Sequence, residues 1–280
     1  MDCKIICTVS DKRCSVDFLR SLYENGMNVV RINSAHATLE GAGQIVRNVR
    51  QVSEKIAVLI DTKGPEVRLT EIEGEFIVNE GDIVCFRSGE DRESSPEGLY
   101  TNCRTFVQDV PQGARILIDD ASVELAVISK EQDKLICKVC NSGVIKGKKS
   151  VNVPDVHISL PPLTDKDRTF IRWAIENDVD FIAHSFVRSK EDLSEIQSIL
   201  DEAGSHIKII SKIENQQGID NLDEILHYSY GAMIARGDLG VEIPPEKRYA
   251  WTVIGSVGNT NWDTDFTMTE DPAGTWTSVV

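Results

Sequence analysis

Hydrophobic and polar positions follow two different rhythms along the chain. In the first seventy residues, short runs that are apolar at consecutive positions alternate with stretches of helical period. Lys4-Ile5-Ile6-Cys7-Thr8 reads as a strand, Ser15 as a helix N-cap, and Phe18, Leu19 and Leu22 as one helix face that stops at Gly26. A strand over 28–33, a helix over roughly 38–54 and a strand over 56–61 follow, the last ending at Thr62-Lys63-Gly64-Pro65. Strands apolar on both faces are covered on both sides, as in parallel sheets, so the alternation predicts an α/β fold, either a β/α barrel or a doubly wound sheet.

From about 70 to 151 the rhythm becomes short strands and turns, with runs at 75–78, 83–86, 115–118, 123–127 and 134–137 and no helical period. Structureless loops of that length are uncommon, so the block is expected to be an inserted β domain. The βα rhythm returns with Thr164 and Asp167 as a capping pair, a helix carrying Phe170, Ile171, Ala174 and Ile175, and a strand over 180–186. A helix capped by Ser189 and closed by Gly204 leads to a strand over 207–214, and a helix through Leu222, Ile225 and Leu226 leads to a strand over 231–238. Six βα strands result. After about Tyr249 the pattern breaks: Trp251 to Val280 holds no Lys or Arg, seven Thr and three of the four Trp, and reads as short strands of an antiparallel module. The division expected is barrel over 1–69, inserted β domain over 70–151, barrel over 152–249 and an unrelated tail over 250–280.

At 280 residues, 41% apolar and 27% charged, the composition is that of a globular protein, and no apolar run approaches the length of a membrane span. The formal charge of -15 repels phosphate backbones, which argues against non-specific binding to nucleic acid or anionic membrane. The apolar run after Lys4 is too short for the centre of a signal peptide, so a cytoplasmic protein is predicted. Seven cysteines sit mostly inside strand-like segments, and Cys137 and Cys140 have no second ligand pair at zinc spacing; reduced, structural thiols are expected.

In a β/α barrel the active site is built from the C-terminal ends of strands. The polar residues there are Arg31 and Asn33, then Asp61, Lys63, Glu66 and Arg68, then Ser185 and Arg188, then Lys212 and Glu214, then Arg236 and Asp238. Lys212 and Glu214 are two apart and share a strand face. Glu214 and Asp238 are hard oxygen ligands on neighbouring strands and suit Mg²⁺, though either one taken alone reads first as half of a structural ion pair. Arg31 offers a rigid fork for a phosphate or for a barrel-core ion pair, Lys212 a mobile point charge, and Gly237 a close backbone approach or a tight turn. His36 and His184 have no nucleophile elbow beside them and read as hydrogen-bonding residues. Lys146, Lys148 and Lys149 form a basic run that is either solvated surface or a phosphate contact.

Five blocks occurring in order carry a specific likeness. They are Gly26-Met27-Asn28-Val29-Val30-Arg31-Ile32-Asn33, Asp61-Thr62-Lys63-Gly64-Pro65-Glu66-Val67-Arg68, Lys149-Ser150-Val151-Asn152-Val153-Pro154, Ile209-Ile210-Ser211-Lys212-Ile213-Glu214-Asn215 and Met233-Ile234-Ala235-Arg236-Gly237-Asp238-Leu239-Gly240-Val241-Glu242-Ile243-Pro244. With them the chain resembles the bacterial pyruvate kinase family over roughly 3–248. The resemblance implies a TIM-type (β/α)8 barrel with a β-barrel lid after its third strand, and transfer of phosphoryl from phosphoenolpyruvate to ADP, giving pyruvate and ATP in glycolysis. It implies that Arg31 and Lys212 are catalytic, with Gly237 and Asp238 joining them in substrate binding. Glu214 and Asp238 would hold Mg²⁺ or Mn²⁺. Asn33, Asp61 and Thr62 would hold K⁺, and Asn33, His36, Arg68 and Lys149 would contact the nucleotide. Full-length members are homotetramers.

Departures from the family pattern qualify these expectations. Ser34-Ala35 stands where the family has Phe-Ser, which removes one K⁺-ligand hydroxyl, and Ser34 should point to the other strand face. Glu66 is the residue that accompanies K⁺ dependence in the family, so K⁺ is still expected. Ser10-Asp11-Lys12-Arg13 replaces Gly-Pro-Ala-Ser, and Asp119-Asp120-Ala121 replaces Asp-Asp-Gly. No motif like A-T-Q-M-L, whose threonine takes part in protonating the enolate, is present. The barrel is therefore expected to be truncated at six strands, with open edges and little or no turnover. The tail weakly resembles a bacterial glycan-binding β-sandwich, with tryptophans placed either to stack on sugars or to fill a core. Alternatives to a pyruvate kinase are another metal-dependent barrel acting on phosphoenolpyruvate or oxoacids, such as a lyase or aldolase, and a non-catalytic fragment with a sugar-binding tail.

Overall fold

A computed structural model describes residues 4–89 and 91–243 and, beyond them, four short strand segments. The first barrel units run β1 (Ile5–Thr8), α1 (Val16–Glu24), β2 (Met27–Asn33), α2 (Leu39–Val52) and β3 (Ala57–Asp61). The inserted region supplies β4 (Glu75–Val78), β5 (Ile83–Arg87), α3 (Phe106–Asp109), β6 (Arg115–Ile118), β7 (Val123–Lys130), β8 (Lys134–Val139), β9 (Gly143–Lys146) and β10 (Val151–Asn152). The barrel resumes with α4 (Asp165–Glu176), β11 (Phe181–His184), α5 (Lys190–Glu202), β12 (Lys208–Ile213), α6 (Gln216–Asp220), α7 (Leu222–Tyr228), β13 (Gly231–Ile234) and α8 (Arg236–Glu242).

Six parallel strands form one sheet in the order β1-β2-β3-β11-β12-β13, the arrangement of an incomplete β/α barrel. One face packs against the helices through Val30, Ile32, Val58, Ile60, Ile182 and Ile209, which join Leu19, Ile45, Phe170 and Leu193 in a single core. The alternate positions of β2 turn away from that core, and Arg31 and Asn33 are among them. Caps place the helices: Ser15 Oγ accepts from the Phe18 amide, and Thr164 and Asp167 form a reciprocal capping box. Ser189 stands at the N-cap of α5 but makes no side-chain capping bond, contrary to expectation.

The inserted region is antiparallel, a five-stranded sheet β10-β6-β7-β8-β5 with the pair β4-β9 beside it. It has its own core of Phe86, Phe106, Ile116, Ile118, Leu125, Leu135 and Cys137. The short α3 interrupts what the sequence pattern presents as strands and turns alone. Burial pushes the Cys137 thiol up to about 12, which suits a structural thiol, whereas Cys140 is exposed, and both are free cysteines. Of the basic run, Lys146 pairs with Glu75 at 2.8 Å and Lys148 pairs with Glu71, both as exposed surface contacts.

Beyond 250, β14 (Thr252–Ile254) pairs antiparallel with β15 (Asp265–Thr267), and β16 (Thr269–Glu270) with β17 (Trp276–Thr277). The sugar-binding reading of the tail rests on Trp251 and Trp262, which lie outside the described residues, and on Trp276, which is described as backbone alone. Among the described residues, no helix is long and apolar enough to cross a membrane.

Candidate active site

The ends of β2, β3, β11 and β12 bring charged and polar side chains together, and strand register explains how. Asn33 lies beside Asp61, and Asp61 beside Ala183. Arg31 reaches across the sheet to Asp61 with its Nε donating to Oδ1 at 2.9 Å and Nη2 donating to Oδ2. The fork read as a phosphate or ion-pair group is thus in an ion pair with a carboxylate that is 2% exposed. Its remaining Nη1 points to Thr8 Oγ1 at 3.4 Å.

Lys212 is 7% exposed and sits among three acceptors. Its Nζ is 2.7 Å from Glu214 Oε1, 3.6 Å from Asp61 Oδ2 and 2.9 Å from Ser185 Oγ. The i, i+2 spacing of Lys212 and Glu214 therefore does place them on one side of the strand. Glu214 accepts from the Phe186 amide at Oε2 (2.7 Å), while Oε1 has the ion pair but no hydrogen bond of ordinary geometry. Burial lifts its carboxyl above the ordinary range against the pull of Lys212, and Asp238 adds to the rise. A buried carboxylate oxygen short of hydrogen bonds, next to a second carboxylate, is what a divalent cation relieves. The donor set fits Mg²⁺ held by two carboxylates, with the remaining positions left to substrate and water. Among the described residues, no group of three or more His, Cys, Asp or Glu is placed to hold a metal.

The residues assigned to K⁺ fit less well. Both Asp61 oxygens are taken by Arg31, Asn33 Oδ1 accepts from the Ala35 amide at 3.0 Å, and the Thr62 carbonyl accepts from Ser185 Oγ at 2.7 Å. Ala35 contributes no hydroxyl, and Ser34 is fully buried with its Oγ unpartnered.

Gly237 and Asp238 do not end a strand, as their spacing had implied. β13 stops at Ile234, and both lie in the first turn of α8, exposed at the rim. A Cβ at 237 would meet nothing within 4 Å, so neither a tight turn nor packing asks for glycine there. His36 is also exposed, in the turn after β2, where its amide bonds Asn33 O. Arg68 pairs with Glu66 at 2.7 Å and donates to Lys148 O, and Lys149 pairs with Asp119 at 3.0 Å. Both cations sit where the inserted region leaves and rejoins the barrel, linked by the Arg68–Ser150 bridge.

Arg188 falls outside the site. It donates a bidentate pair of hydrogen bonds to the Asp192 carboxylate and further ones to the carbonyls of Ile158 and Leu160, which pins the segment returning from the inserted region. Beside it lies a cavity of about 320 Å³, lined by Glu66, Phe186, Arg188, Asn215 and Glu242 among others, with neither Lys212 nor Glu214 in its walls. Sequence reasoning read Asp167 only as part of a helix cap; it is also fully buried and accepts from the Lys63 amide at 2.6 Å. Its position at N3 of a capping box was the available signal.

His184 is fully buried, and burial lowers its ring to about 4, so it is neutral. Its Nδ1 meets Thr62 Oγ1 at 3.0 Å, in keeping with a hydrogen-bonding role.

Comparison with known proteins agrees with this fold. The family described as "Pyruvate kinase, barrel domain" matches residues 1–253. A pyruvate kinase of Borreliella burgdorferi is 49% identical over 244 residues, covering 87% of this chain and 51% of the relative. One from Geobacillus stearothermophilus is 42% identical over 252 residues, covering 87% of this chain and 43% of the relative. The crystal structure of a pyruvate kinase from Cryptosporidium parvum superposes with a TM-score of 0.83 at 35% identity, over 87% of this chain and 52% of the other. The chain spans about half the length of the curated relatives it matches.

Proposed function

The chain belongs to the pyruvate kinase family, and on that premise we propose that it performs the family's reaction, moving the phosphoryl group of phosphoenolpyruvate to ADP to give pyruvate and ATP. The observation that carries this reading is the buried contact between Lys212 and Glu214, with Asp61 joining Lys212 to Arg31 and the exposed Asp238 acting electrostatically on Glu214. We assign Arg31 and Lys212 to the phosphoryl group, Gly237 and Asp238 with them to substrate binding, and Arg68, Lys149, Asn33 and His36 to the nucleotide. The boundaries of the inserted lid are proposed as 70–151, and the setting as cytoplasmic.

Glu214 and Asp238 would hold Mg²⁺, which when bound offsets charge on the substrate oxygens. The chain's own residues supply the rest. Arg31 and Lys212 present positive charge to the group in flight, and because both are anchored to carboxylates they need little reorganisation as charge moves. The P–O bond to the enol oxygen breaks, a bond to the terminal ADP oxygen forms, and the enolate takes a proton from solvent at carbon to become pyruvate. Asn33, Asp61 and Thr62 remain the proposed K⁺ ligands, each sharing an oxygen already bonded within the protein.

The test is pyruvate formation from phosphoenolpyruvate and ADP with Mg²⁺ and K⁺, comparing the chain with Lys212→Met. Turnover that vanishes with Lys212 supports the assignment, and turnover that Lys212→Met leaves intact overturns it. Soluble, folded protein without turnover would show that these residues alone are insufficient.

A further inference from the structure

Ser185 has no role in the assignments above, yet it is the joint of the buried site. It stands one residue past β11 and is 2% exposed. Its hydroxyl makes two hydrogen bonds: Lys212 Nζ donates to Oγ at 2.9 Å, and Oγ donates to the Thr62 carbonyl at 2.7 Å. Both directions are forced, because an ammonium has no lone pair and a carbonyl oxygen has no proton, while the hydroxyl has one proton to give. The Ser185 amide adds a bond to Thr62 Oγ1 at 3.0 Å, and that oxygen in turn meets His184.

Backbone packing holds the hydroxyl in this place. Gly64 has φ +73°, and a Cβ there would lie 2.8 Å from Ser185 Cβ and 2.9 Å from Ser185 O, so the loop after β3 closes directly onto Ser185. The other acceptors around Lys212 have competing claims. Asp61 is held by Arg31, and Glu214 is a proposed metal ligand. Ser185 Oγ is neutral and is drawn to neither cation.

We propose that Ser185 is a positioning residue, which aims the Lys212 ammonium by tying it to the Thr62 carbonyl. What Lys212 then does rests on the pyruvate kinase reading, but the tie itself does not. The closing experiment separates the two, using the full chain with ¹⁵N-labelled lysine and following side-chain ammonium resonances by NMR. The Lys212 signal is identified by its loss in Lys212→Met. In Ser185→Ala it should shift or broaden away while the signals of surface lysines stay in place. Turnover should fall about ten- to a hundredfold in kcat, the size expected for one lost charge-assisted hydrogen bond, with KM for phosphoenolpyruvate nearly unchanged. An unmoved Lys212 signal in folded Ser185→Ala overturns the proposal whatever the turnover. A moved signal in a chain that has no turnover upholds it and counts against the pyruvate kinase reading instead. Should Ser185→Ala fail to fold, Ser185→Cys, with its weaker donor, is judged by the same criterion.

Discussion

Two sets of polar residues share one end of the sheet and are held in opposite ways. At the ends of β3, β11 and β12, Asp61, Thr62, His184, Ser185, Lys212 and Glu214 are buried and bonded to one another across three strands. On the rim, Gly237 and Asp238 are exposed at the start of a short helix, and a side chain added at 237 would find open space. A buried ion pair requires all its partners at once, because each charge removed from water must be offset inside. An exposed carboxylate stays hydrated and can take a ligand without breaking anything. The inner set therefore fixes geometry, and the rim is free to exchange its contacts.

The largest effect should come from taking apart the inner set. Lys212→Met leaves Glu214 buried beside no cation, and a broken buried pair costs about 3–5 kcal/mol, read as a lower urea midpoint at pH 7. An unchanged midpoint would mean that Glu214 is not confined by its burial. Next in size is the pH dependence of His184. Its ring is neutral in the fold down to about 4, whereas in the unfolded chain it gains a proton near its ordinary value of 6.5. The unfolded state thus binds the extra proton between those values, so stability present above 6.5 is lost as pH falls towards 4, by about 3 kcal/mol. His184→Asn should flatten that part of the curve in urea titrations at pH 7 and pH 4.5, and an unaltered slope would refute the assignment. The smallest change is expected on the rim. Asp238→Asn and Gly237→Ala should each leave thermal stability within about 0.5 kcal/mol of the parent, while Asp238→Asn weakens Mg²⁺ binding in calorimetric titration. A stability loss above about 1 kcal/mol in either variant would erase the distinction between rim and interior.

Much of the architecture could be read from the chain because the signals were local. The doubly apolar runs at β2, β3, β11 and β12, and the caps at Ser15 and Thr164, depend on neighbours within a few positions. Lys212 and Glu214 were legible for the same reason, since strand alternation alone puts them together. The Arg31–Asp61 pair was not, because it depends on which strands lie side by side and in what register. The same holds for Ser185, whose sequence neighbours say nothing about Thr62 or Lys212. The first turn of α8 was read as the end of a strand because Met233 to Asp238 begins as an apolar run, and only the folded chain shows it turning at Ala235. α3 and β9 are four residues each, too short for any period to be counted.

The insertion between β3 and β11 also bears on how the chain folds. These two strands are hydrogen-bonded neighbours, yet Thr62 and His184 are 122 positions apart. If that interval were loose chain, closing it would be the slow, entropically expensive event in building the sheet. The inserted region has its own core, and its two ends meet at the Arg68–Ser150 bridge. Once that region has condensed, the search distance between β3 and β11 shrinks from more than a hundred residues to the six between Asp61 and Arg68 and the thirty between Ser150 and Phe181. It would act as a kinetic clasp for the sheet, forming first and delivering the second half of the barrel to the first.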